Sequence, residues 1–186
     1  MRMLLVVCLA TSLLLILCAC SERRGTGRRD ACSLVLKEEV ESIAASPVKQ
    51  TKSSEASDNL FHVSQCFYTT AEFSRSVNLA LVQERPDQKN ERNPKDFWKK
   101  KFGRYANEKE ADAAAEPKSA EKELGPTPKK IANLGDDAYW VPNRFGGTLY
   151  VLKGDAFFSI GLGGTDDEAT KLKKSKVLAE KALQRL

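Results

Sequence analysis

The sequence predicts an α+β fold: an antiparallel sheet of about four to five strands with helices packed on one face. Three observations carry that reading. Val77, Leu79 and Leu81 alternate with their neighbours at the period of a strand. The apolar runs Thr148 to Leu152 and Ala156 to Leu162 are separated only by Lys153-Gly154-Asp155, a tight-hairpin signal. Helical spacing appears at both ends of this region, in Leu36, Val40 and Ile43 and again between Ala169 and Leu186. Strands joined by short turns pair antiparallel, and helices interspersed among them cover a face of the sheet.

Taken in order, the first helix carries Leu36, Val40 and Ile43 and is closed by Pro47. Thr51 to Asn59 reads as a polar, serine-rich loop. Strands follow at Phe61 to Thr69 and Ser76 to Leu81. Asn93-Pro94-Lys95-Asp96 is a helix start, with Asn as cap, Pro at the first position and an acid in the first turn. Trp98, Phe102 and Tyr105 then share a helical face, although Gly103 within it weakens an unbroken helix. The Ala-rich stretch extends that helix toward Glu116, and a proline-punctuated linker runs from Pro117 to Pro128. A short apolar strand at Ala138 to Val141 precedes the hairpin. Thr165-Asp166-Asp167-Glu168 reads as a capping box opening the last helix, whose stripe is Ala169, Leu172, Ala179, Leu183 and Leu186.

The chain of 186 residues has a formal charge of +5, too mild a balance for a nucleic-acid-binding surface. Its charge is uneven: the first 19 residues are almost wholly apolar after Arg2, and Glu84 to Lys130 is dominated by charge. The apolar run from Leu4 to Leu17 is short for a membrane span and has the pattern of an export signal. It ends Leu17-Cys18-Ala19-Cys20, which resembles the lipobox of bacterial lipoproteins. That resemblance implies cleavage before Cys20 and a diacylglycerol thioether on its sulfur. An uncleaved anchor or a plain cleaved signal are the alternatives, and each also places the rest outside the cytoplasm. The expected organisation is a signal peptide at 1–19, a lipid-anchored flexible tether at 20–31, and one domain at 32–186 with a charged helical and linker insertion around 84–130.

Five cysteines occur: two leave with the signal and Cys20 takes the lipid, which leaves Cys32 and Cys66. In an oxidising compartment they are expected to form a structural disulfide. They lack the Cys-x-x-Cys arrangement of a redox pair, and with the single histidine, His62, they supply too few ligands for a metal site.

Several segments resemble a group of uncharacterised bacterial lipoproteins: Ala31 to Leu34, Ser64 to Tyr68, Leu134 to Trp140, Leu149 to Asp155 and the Ala/Leu-rich last helix. Members of that group likewise pair a cysteine before the first helix with one at the first strand. They also carry a Leu-Gly-Asp-x-Ala-Tyr turn ahead of a hairpin containing Lys-Gly-Asp. The resemblance brings no catalytic residue with it.

Sharper chemistry finds little footing. Gly161-Leu162-Gly163-Gly164 lies where a phosphate loop would lie, but Asp166, Asp167 and Glu168 crowd the next helix start and oppose an anion. The acids at 136–137 and 166–168 lack the alternating spacing of a calcium loop and read as turn and cap. His62 is the sole imidazole base, with no nominated nucleophile. Tyr139 and Trp140, or Trp98, Phe102 and Tyr105, line either a cleft or the core. Lys99, Lys100, Lys101 and Arg104 read as a solvated face or a membrane-proximal one. The expectation is a non-enzymatic, membrane-anchored envelope lipoprotein acting as a binding or interaction module on the extracytoplasmic side, in the outer membrane if the source is Gram-negative. Its partners would be the membrane, through Cys20, and an envelope protein, polymer or apolar ligand, with no nucleic acid, cofactor or metal. The alternatives are an envelope hydrolase whose carboxylates assemble only in the fold, and a purely structural protein.

Overall fold

A computed structural model describes residues 28–57, 60–85, 93–106 and 126–186. A 3-10 turn at Ala31–Ser33 leads to helix α1, Lys37–Ala44. The Glu39 carboxylate reaches back to the Leu36 N–H at 2.9 Å, tying the first turn, and Ala45 ends the helix in a left-handed conformation just before Pro47. Strands β1 (Val48–Ser57), β2 (Phe61–Thr70) and β3 (Val77–Glu84) form a meander, followed by helix α2 (Pro94–Phe102). Strands β4 (Lys129–Lys130), β5 (Asp137–Val141), β6 (Thr148–Lys153) and β7 (Ala156–Leu162) form a second meander, and helix α3 (Glu168–Arg185) closes the chain.

The two meanders join side by side in one antiparallel sheet, in the order β1-β2-β3-β7-β6-β5-β4. The α+β class and antiparallel pairing agree with the sequence, but the sheet has seven strands rather than four or five. One added strand is β1, where a loop was expected. Nine of its ten residues are exposed, because it is an edge strand wet on both faces, so no apolar alternation betrays it. The other is β4, only two residues long, whose lysines pair with Trp140 and Tyr139.

Helices cover both faces, not one. On the first face α1 and α3 pack over Cys66, Tyr68, Leu79, Leu81, Trp140, Leu149, Val151, Phe158 and Ile160. On the second, α2 sets Trp98 and Phe102 against Tyr139, Leu152 and Phe157. Alternation within each strand explains the division: Phe157 and Phe158 point opposite ways, and both are buried. Phe102 stacks on Tyr139 at 4.6 Å between ring centres, and Trp98 donates its indole N–H to Asp137 at 3.0 Å. Helix α2 stops at Phe102 and gives way to a 3-10 turn at Gly103–Tyr105, so the expected extension toward Glu116 lies largely outside the described residues.

Cys32 and Cys66 form a disulfide, joining the turn before α1 to the middle of β2. Arg185 at the end of α3 grips Glu39 through two bonds of 2.8 Å and the Leu34 carbonyl at 3.0 Å, so the last helix is clasped to the first. That guanidinium holds the Glu39 carboxyl below its usual range.

Candidate binding groove

The strand register gives the sheet two ends. Ser57, Phe61, Glu84 and Ala156 lie at one, which receives the chain from the N-terminus: Arg29 exchanges bonds with the Gln83 side chain there. Val48, Thr70, Val77, Leu162 and Thr148 lie at the other. Ten residues of β2 separate the ends by about 30 Å at roughly 3.3 Å per residue.

A groove of about 840 Å³ opens at the second end. Phe67, Asn78, Thr148 and Gly161 supply its sheet side, and the loop Asn143 to Gly147 forms one wall. The loop is built by its own polar groups. Asn143 accepts from the Phe145 N–H at 2.8 Å and donates its amide to the Thr148 hydroxyl at 3.1 Å, while α3 sends Lys171 to the Phe145 carbonyl at 2.6 Å. Gly147 lets the loop lie flat on the core. A Cβ there would stand 2.3 Å from the Trp140 ring, at a φ of 152°. The loop therefore carries Phe145 outward, 63% exposed, with Arg144 over its ring. Across the groove Phe67 packs beside the exposed Phe73, with ring centres 6.4 Å apart. Two aromatic platforms thus flank a middle of amide and hydroxyl groups. Two of the charged groups at this rim are engaged, Asp166 with Lys174 at 2.6 Å and Lys171 with the loop.

The residues singled out in the sequence lie elsewhere. Cys20 is outside the described residues. Tyr139 and Trp140 are core, not cleft, each fully buried. Asp136 and Asp137 serve a turn and the Trp98 indole. Asp167, not Thr165, caps α3 by accepting from the Thr170 N–H at 2.7 Å. Glu168 is then free to receive the Trp140 indole at 3.1 Å and Lys129 at 2.7 Å. His62 is buried at the opposite end, with Nδ1 3.0 Å from the Ser57 hydroxyl and Nε2 3.9 Å from Glu55. Burial there pushes its pKa below the usual 6.5. Among the described residues no group of three or more His, Cys, Asp or Glu is placed to hold a metal ion, and no helix is long and apolar enough to cross a membrane.

Sequence reasoning passed over Phe67, Asn78 and Phe145. The available signal for Phe67 was its parity: on a strand whose Cys66 points inward, its neighbour must point away. No known family profile, curated protein or solved structure matches the chain.

Proposed function

We propose that this is a non-enzymatic envelope lipoprotein, anchored through a lipid on Cys20, whose groove binds an extended saccharide polymer of the cell envelope. The observation that carries the binding reading is the pairing of exposed Phe67 and Phe145 across Asn78 and Thr148. Sugar rings present apolar C–H faces that stack on aromatic rings, and hydroxyls around their edge that exchange hydrogen bonds with amides and hydroxyls. An open groove suits a strand better than an enclosed pocket would. The anchor is supported by the lipobox-like Leu17-Cys18-Ala19-Cys20. Membership of the lipoprotein group that the sequence resembles is part of the same proposal.

The test is a titration of soluble envelope glycan strands, followed through the amide resonances of Asn78, Thr148 and Gly161. Shifts confined to these positions, and abolished by Phe67→Ala with Phe145→Ala, are expected. No response to glycan, with a response to a fatty acid instead, replaces the polymer with an apolar ligand. Shortening of the strands during the titration overturns the non-enzymatic reading in favour of a hydrolase. For the anchor, Cys20→Ala is expected to abolish metabolic labelling with radioactive palmitate.

A further inference from the structure

We infer that the end of the sheet where the N-terminal chain enters, together with the outer side of α2, is a docking face for an anionic lipid surface. The inference rests on the lipid anchor proposed above. Eight peptide steps separate Cys20 from Arg28, so the chain between them spans at most about 28 Å. The entry end is therefore held close to the bilayer, while the groove lies about 30 Å farther along the strands.

What that end presents fits the place. Phe97 is 40% exposed, resting edge-on to Phe61 and stacked on Phe157 at 5.6 Å, so it is a rigid apolar platform rather than a loose side chain. It borders a recess of about 670 Å³ with Leu60, Phe61 and Lys100. Lys99 and Lys100 are exposed beside it, and Arg28 and Arg29 enter at the same end. Lys101 is exposed and lines the same recess, with its ammonium 4.7 Å from the Tyr150 ring. Asp96, Glu84 and Glu55 share this end and Lys95 is paired with Asp155, so the cationic excess comes from Arg28 and Arg29 with Lys99, Lys100 and Lys101. An apolar ring flanked by lysines whose stems lie along apolar surface is the composition of an interfacial contact. Each cation near an anionic surface adds attraction that falls off within a Debye length.

The experiment uses the lipidated protein, purified from its own membrane and placed in vesicles of phosphatidylcholine alone or with phosphatidylglycerol. Indole probes are introduced by Phe97→Trp and, as a control at the groove, by Phe145→Trp, and brominated lipids serve as quencher. The expected result is severalfold stronger quenching for Phe97→Trp than for Phe145→Trp in phosphatidylglycerol vesicles. Lys99→Glu with Lys100→Glu should remove that difference. Equal quenching of the two probes in protein that floats with the vesicles overturns the docking face and leaves the anchor standing, even if a partner protein covers Phe97 instead. Protein that floats with neither vesicle overturns both.

Discussion

Asp136, immediately before β5, holds the Lys153-Gly154 turn between β6 and β7: its Oδ2 accepts from the Gly154 N–H at 2.7 Å and its Oδ1 from the Lys153 ammonium at 3.0 Å. Gly135 makes this possible. It sits at a φ of 63°, and a Cβ there would stand 2.5 Å from the Leu152 carbonyl, the same carbonyl that accepts from the Asp136 N–H at 2.8 Å. The Leu-Gly-Asp and Lys-Gly-Asp segments, distinct along the chain, are thus one interlocked unit that fixes the β5–β6 register.

Asp136→Ala removes both bonds at a half-exposed site, and should cost about 1 kcal/mol, at the low end for charge-assisted bonds. Its carboxyl is held below the ordinary 3.8, first by the Gly154 N–H and then by Lys153. The contribution is therefore full above that value and is lost as pH falls through the folded pKa. Urea unfolding at neutral pH and near pH 3 measures both effects, and the variant should lose less stability on acidification than the parent.

His62 acts in a different window. Because its folded pKa lies below 6.5, the unfolded chain takes up a proton first as pH falls. Stability should be full above about 6.5, decline below it, and level off beneath the folded pKa. Titrating the urea midpoint between pH 7.5 and 5 tests this, and His62→Gln should flatten the slope in that range.

Reducing the Cys32–Cys66 bridge, or replacing both cysteines with Ser, should cost about 3–4 kcal/mol by releasing a loop of 34 residues in the unfolded chain. Paired thermal scans with and without reductant measure it.

Gly147→Ala pushes a methyl group into the Trp140 ring at a φ that side chains rarely adopt. A loss of about 2 kcal/mol or more is expected. The groove wall should distort with it, read as displaced amide resonances at Phe145 and Gly146.

These features were unequally legible. Strand β3 announces itself because Val77, Leu79 and Leu81 are buried while Asn78 and Ala80 between them are not. Strand β1 shifts register between Val48 and Gln50 and pairs on one edge only, and its Lys, Gln, Ser and Thr residues obey no burial pattern. The aromatic spacing in α2 correctly marked a packed face, but spacing cannot say which side of a sheet a helix chooses. Nor did it show the groove. Phe145 is exposed only because Gly147 fits against Trp140, and Phe67 meets Phe73 only through the turn between β2 and β3. Both depend on contacts between segments that no local pattern contains.

The seam between the meanders has a kinetic consequence. Strands β1 to β3 are neighbours in sequence as in space, and so are β4 to β7. Val77 to Gln83 must nevertheless find Leu162 to Ala156, across about 80 intervening residues for each pair at its centre. Each meander assembles through short hairpins, whereas the β3–β7 ladder waits on a long search through chain entropy. Until β7 arrives, β3 is an open edge with its buried face uncovered. Folding speed, and the interval in which this chain is prone to self-association, are therefore set at that one ladder.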